Sequence, residues 1–174
     1  MNDLRNLGVW LAIVLVLVTG YGFRDELQHV GHRLTLGLIP GSAVTRLADD
    51  GTVEVAVGRD NSGHFLVTAD VNGTPVRFLV DTGATTIALG HADAARIGID
   101  VANLRYDIPI STANGMARAA RVRLNSVELG GITRTGLEAT VSEPGALFGS
   151  LLGMNFVGTL ASFEIRGERL VLRD

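Results

Sequence analysis

The 174-residue sequence contains no cysteine and no lysine. Without cysteine there is no disulfide, no thiol nucleophile and no thiolate metal ligand. Without lysine there is no P-loop lysine, no Schiff base and no Ser-Lys dyad, and all 15 basic residues are arginine. Aromatic residues make up only 5% and the net charge is −3. No basic cluster or aromatic ladder suits a nucleic acid. The nucleophile elbow Gly-x-Ser-x-Gly is missing as well, because Gly149-Ser150-Leu151-Leu152-Gly153 has the wrong spacing. The four histidines form no His-Glu-x-x-His pattern; His29 and His32 are spaced like helical neighbours but sit in a polar segment, as solvated surface residues do. Hydrolytic chemistry is left to carboxylates, with neither a metal nor a cofactor expected.

The most apolar stretch is residues 7–23, within which Leu11 to Val18 carries no polar side chain. It falls at the short end of a membrane-spanning helix, which needs ~20 apolar residues. A cleaved signal peptide would want a stronger basic start and an Ala-x-Ala-like site, which Val18-Thr19-Gly20-Tyr21-Gly22 does not supply. A buried core helix would be amphipathic, and this run is apolar all round. An uncleaved anchor fits best, making 1–23 a cytoplasmic stub and transmembrane helix inserted in the lipid bilayer. Arg5 before the span and Arg24 and Arg33 after it pull the orientation in opposite directions. The long downstream domain favours an inner-membrane protein with that domain on the periplasmic side. Residues 24–50, broken at Ile39-Pro40-Gly41-Ser42, read as a tether able to reach on the order of 80 Å. The domain is expected over 51–174.

Within it Val53, Val55 and Val57 alternate with smaller or polar residues, a half-buried strand. Phe65, Val67, Ala69 and Val71 mark the next strand, and Asn72-Gly73 follows, a strong hairpin signal. The return strand Val76–Val80 ends in Asp81, so the hairpin fixes where a lone carboxylate emerges from an apolar run. Such a group is costly to ionise unless it is hydrogen-bonded or shares its charge. Thr82 brings a short hydroxyl, and Gly83 lets backbone amides approach the carboxylate. On the residues alone, a turn with a solvated Asp81 competes with an active-site loop. A short strand over Thr85–Leu89 and a two-turn helix over His91–Ile97, closed by Gly98, come next. Strand character on both sides of Asn114-Gly115 predicts a second hairpin. Arg121 and Arg123 share one strand face, by default a solvated one, with anionic lipid or an acidic substrate segment as the alternative. Gly130-Gly131 and Arg166-Gly167-Glu168 mark two further hairpins.

The order hairpin, Asp81-Thr82-Gly83, strand, short helix resembles a lobe of the pepsin and retropepsin aspartic peptidases, from about Thr52 to the C-terminus. The bacterial membrane-anchored retropepsin-like proteases are the nearest pattern. The resemblance implies an all-β fold, a closed retropepsin-like β-barrel with one short helix behind an N-terminal transmembrane helix. It implies Asp81 as the catalytic residue, with Thr82, Gly83 and Ala84 supporting its loop. Thr112, Ala113, Asn114 and Gly115 would form the tip of a substrate-covering flap, the alternative being a hairpin without ligand contact. Leu151, Leu152 and Gly153 would form the strand crossing behind the catalytic loop; many viral members follow this Gly with Arg, where this sequence has Met154-Asn155.

Aspartic peptidases use two carboxylates that share one proton and activate a water. This sequence has a single Asp-Thr-Gly and no second copy, so the resemblance implies a homodimer that pairs Asp81 with its twin and binds a protein or peptide substrate in extended conformation. Pepsin-like members place Ser or Thr where Ala84 stands, and its hydroxyl donates to the carboxylate; alanine removes that donor. The competing reading from another class is a catalytically silent dimerisation or peptide-binding module tethered to the membrane.

Overall fold

The computed structural model describes residues 43–48, 51–112 and 115–174. The expected membrane span at 7–23 and most of the tether lie outside the described residues. Among the described residues, no helix is long and apolar enough to cross a membrane. The strands are β1 (Ala43–Leu47), β2 (Val53–Gly58), β3 (Leu66–Val71), β4 (Thr74–Val80), β5 (Ile87–Leu89) and β6 (Ile108–Thr112). They continue as β7 (Gly115–Leu129), β8 (Ile132–Ser142), β9 (Ser150–Leu152), β10 (Ser162–Arg166) and β11 (Arg169–Arg173). Short helices α1 (His91–Arg96) and α2 (Met154–Val157) and a 3-10 turn at Val101–Asn103 complete an all-β fold.

The β3–β4 hairpin turns on Asn72 and Gly73, with φ of 52° and 79°. Both central residues of this turn type need positive φ, which asparagine and glycine tolerate. Phe65, Val67, Ala69 and Val71 are buried together, as are Val76 and Phe78 across from them. Asn72 does more than turn the chain. Its Oδ1 accepts the backbone N–H groups of Asn125 (2.9 Å) and Ser126 (3.2 Å), tying the hairpin tip to β7.

Two sheets result, ordered β1-β2-β11-β10 and β3-β4-β9-β5-β8-β7-β6. In the larger sheet β3 also pairs with β7, through Asp70 with Glu128 and Val71 with Val127, so its first strand meets its sixth. The long β7–β8 hairpin spans this curvature by bending. Its buried residues switch phase, from Leu124 to Val127 and Leu129, around Asn125 and the facing Gly136. Gly136 has φ of 65°, and a Cβ there would meet the Arg123 guanidinium at 2.9 Å. Side chains swap faces at such a bend, which lets one strand face the core on both halves. At the far turn Gly130 lies against β1 and β2; a Cβ would stand 2.5 Å from Thr45 Oγ1 and 2.8 Å from Val55 Cγ2.

The core draws on every layer: Val55 and Leu172 from the small sheet, Phe78, Leu124 and Leu152 from the large one, and Phe156 from α2. Fully burying an aliphatic or aromatic side chain contributes about 1.5–3 kcal/mol. In β10, Phe163 and Ile165 lie on the core-facing side but overhang its edge and remain exposed.

Two expectations are corrected. Ala43–Leu47, assigned by sequence to the tether, is a strand in full antiparallel register with β2. Only Ala43 and Val44 are half-buried there, so apolar periodicity gives no signal, and the strand is held by backbone pairing. In the β6–β7 hairpin Thr112 pairs with Gly115, so Gly115 belongs to the ladder and not to the turn centre. Ala113 and Asn114 lie outside the described residues.

Candidate active site

β4 delivers Asp81 as the sequence implies, and the neighbouring strand holds it. β4 runs parallel to β9, with Leu79 beside Leu151 and Val80 beside Leu152. The backbone N–H of Asp81 donates to Leu152 O at 3.1 Å. Asp81 O in turn accepts from Ala84 N at 3.3 Å, closing a tight turn. Within that turn Gly83 N donates to Asp81 Oδ1 at 2.8 Å. A Cβ on Gly83 would sit 3.1 Å from the same oxygen, so glycine permits the amide's approach. The carboxylate is half-buried, Thr82 and Gly83 are exposed, and Ala84 is half-buried.

Behind the loop stands Gly153. A Cβ there would be 2.3 Å from Thr86 O and 2.8 Å from Ala84 O, so this crossing admits no side chain. Met154 N donates to Ala84 O (2.8 Å) and Asn155 N to Thr85 O (3.0 Å). Asn155 adds a side-chain clamp: its Oδ1 accepts Ile87 N at 2.9 Å and its Nδ2 donates to Glu138 O at 2.7 Å. One amide thereby joins α2, β5 and β8. Ser150 makes a similar tie, accepting from Gly90 N at 3.1 Å and donating to Asp93 Oδ2 at 2.6 Å. Arg96 pairs with the other Asp93 oxygen at 2.7 Å and also donates to Pro75 O, so α1 is fastened to β9 and to the β4 hairpin.

In front of Asp81 a cleft of about 650 Å³ opens. Asp81, Gly83, Ala84, Thr85 and Thr86 line one side, Ile108, Ile110 and Ser111 of β6 another, with Leu147 and Leu151 close by. Its floor includes Ala88, Thr140, Arg121 and Glu138. A trough that mixes apolar side chains with threonines, Ser111, Arg121 and Glu138 beside a carboxylate suits an extended peptide. Among the described residues no cluster of three or more histidine, aspartate or glutamate side chains could hold a metal ion.

Of the residues singled out in the sequence, Asp81, Gly83, Ala84 and Leu151 meet at the cleft, whereas Leu152 is buried behind it and Thr82 is exposed beside it. Thr112 and Gly115 continue the β6–β7 ladder beyond Ile110. Sequence reasoning missed Asn155 and Ser150. For Asn155 the available signal was a polar residue inside the apolar run Leu151–Val157, where a half-buried amide must find partners. It also missed Ile108, Ile110 and Glu138 as lining, since only the β6–β7–β8 register brings them together.

The family profile described as "Aspartyl protease" matches residues 67–156, just over half of the chain. An uncharacterized protein from the cobV 5′ region of a Sinorhizobium species is 46% identical over 173 residues, covering 99% of this chain and 74% of its own length. An uncharacterized protein of Rickettsia prowazekii is 38% identical over 166 residues, covering 95% and 69%. Among solved structures, a retropepsin-like aspartic protease from Rickettsia conorii superposes with a TM-score of 0.65 at 35% identity, over 76% of this chain and 95% of that one. With the fold and these matches together, the chain belongs to the retropepsin-like aspartyl proteases.

Proposed function

We propose that this protein is an aspartic endopeptidase active as a homodimer, in which Asp81 and Asp81 of a second copy share one proton and hydrolyse peptide bonds. The observation that carries this reading is the half-buried Asp81 carboxylate, gripped by Gly83 N at 2.8 Å and opening onto the 650 Å³ cleft. In the reaction the ionised carboxylate takes a proton from water as the oxygen attacks the carbonyl carbon. The protonated partner donates to the carbonyl oxygen, giving a neutral tetrahedral diol. Collapse returns the diol proton to a carboxylate and delivers another to the leaving amine, which restores the shared-proton state. Two acids this close titrate as a pair, and neither alone performs both transfers. The β6–β7 hairpin, with Ile108 and Ile110 on the cleft, is suited to cover an extended substrate. The exposed Phe163 and Ile165 on the edge strand β10 offer apolar surface to a second copy.

Residues 7–23 serve in this reading as an inner-membrane anchor, with the protease domain on the periplasmic side. The apolar run supports the anchor and the long downstream domain supports the side.

The deciding experiment uses the full chain and its Asp81→Asn variant on an unstructured protein. Wild type is expected to cleave, and the variant to lose at least about 10²-fold in rate, the usual scale of acid–base catalysis. Equal, undetectable cleavage by both under conditions where sedimentation shows a dimer would favour the silent binding module.

A further inference from the structure

At the end of the cleft far from Asp81, the floor is charged. Arg121 pairs with Thr140, Thr140 with Ala88, and Ala88 with Leu151, so the four form one cross-strand row spanning β7, β8, β5 and β9. Directly paired residues share a sheet face, and all four line the cleft. Glu138 also lines it, but its cross-strand partner is Arg123, whereas the partner of Arg121 is the uncharged Thr140. Among the described residues no ion pair engages Arg121. This patch of β7 and β8 thus carries two guanidinium groups against one carboxylate.

We propose that Arg121 is a specificity-determining residue that selects substrates with an acidic side chain about four residues from the cleaved bond, the spacing given by strand geometry. The inference rests on the endopeptidase reading. The row from Arg121 to Leu151 crosses three strand spacings, and β4, which carries Asp81, lies one beyond. At about 4.8 Å per spacing this is about 20 Å along the sheet, less the ~6 Å reach of an arginine side chain. An extended peptide advances about 3.3 Å per residue, which sets the distance in sequence. The guanidinium fork accepts a carboxylate in two parallel hydrogen bonds, so glutamate or aspartate gains where glutamine does not. Glu138 sharpens the choice by repelling an acidic residue placed nearer the active-site loop.

The test takes the full chain carrying Asp81→Asn, which holds a peptide without turning it over. Fluorescently labelled extended peptides carry Glu, Gln or Lys at successive positions, and fluorescence anisotropy reads their binding. One position about four residues from the centre is expected to favour Glu over Lys by about three- to tenfold, a preference that fades in high salt. Adding Arg121→Glu reverses the order, Arg121→Gln abolishes it, and Glu138→Gln broadens it to neighbouring positions. Peptides that bind alike whatever their charge, or an Arg121→Glu variant that keeps the preference for Glu, overturn the proposal while leaving proteolysis standing. Failure of every peptide to bind, joined with no cleavage by wild type, overturns the endopeptidase reading and this inference with it.

Discussion

Asn155 is the residue whose removal best tests how the catalytic loop is held. Its side chain accepts from Ile87 N at 2.9 Å and donates to Glu138 O at 2.7 Å. The two bonds differ in what happens when they are lost. Ile87 is fully buried, so in Asn155→Ala its N–H loses its partner in a place water reaches poorly. An abandoned buried donor costs about 1–3 kcal/mol. Glu138 is exposed, and water can replace the donor to its carbonyl for at most about 1 kcal/mol. The expected loss is therefore about 1–4 kcal/mol, centred on 2–3. With a urea m-value of about 1.5–2 kcal/mol/M for a domain of this size, the unfolding midpoint falls by about 1–2 M at unchanged m. Urea denaturation followed by far-UV circular dichroism measures it. Because Ile87 opens β5, just after the Ala84–Thr86 segment of the cleft, turnover is expected to fall along with stability. A midpoint shift corresponding to less than about 0.5 kcal/mol would refute the view that this amide clamps β5 to β8.

Two further outcomes follow from the geometry. Ala84→Ser adds a hydroxyl three residues after Asp81; by donating to the carboxylate it moves the acid limb of the pH–rate profile to lower pH, and an unchanged profile refutes the idea. Arg134 donates to both carboxylate oxygens of Asp174, and these hydrogen bonds, aided by its charge, hold the Asp174 carboxyl below its usual range against the opposing effect of burial. A depressed carboxyl stabilises the fold above its unfolded pKa and loses that contribution as pH falls through the folded one. Asp174→Asn is accordingly expected to cost about 1 kcal/mol at neutral pH, solvent screening keeping it small, with the gap to wild type closing below about pH 4. Thermal melts across pH 3–7 check it, and a gap undiminished at pH 3 counts against the ion pair.

What the sequence makes legible is local. The Asn72-Gly73 turn, the alternation Phe65–Val71, and helix α1 ended by Gly98 (φ 88°) each depend on residues within a few positions of one another. Asp81 is legible because an apolar strand runs into a small-residue turn. What escapes is set by partners distant in sequence. β9 has three residues, too few for any periodicity; only the family resemblance marks Leu151 and Leu152 as a strand, and they become one through β4, more than seventy positions earlier. β1 escapes for a different reason: its partner β2 is the next strand, but its exposed side chains give no apolar periodicity to read. The clamp of Asn155 is non-local by 68 positions. Asn114-Gly115 misleads by one place for a related reason: turn propensity marks a neighbourhood, while the β6–β7 ladder chooses the register.

Whether one chain could supply both acids can be argued from the cleft itself. Its acidic lining residues are Asp81 and Glu138. Ala139, next to Glu138, pairs with Ile87 on β5, and β5 is separated from β4 by β9, which places Glu138 three strands from the strand carrying Asp81. That is about 14 Å along the sheet, whereas carboxylates sharing a proton stand about 3 Å apart. Glu138 therefore cannot complete the pair, and on the dyad reading the second acid comes from another copy. Co-refolding equal amounts of wild-type and Asp81→Asn chains measures this. Random pairing leaves roughly one quarter of the dimers with two aspartates, so activity per wild-type chain is expected to fall to about half. If it stays at its unmixed value while pull-down of differently tagged wild-type and variant chains shows mixed dimers, each chain works alone, and the acid that completes its chemistry lies outside the cleft described by Asp81, Ile110 and Arg121.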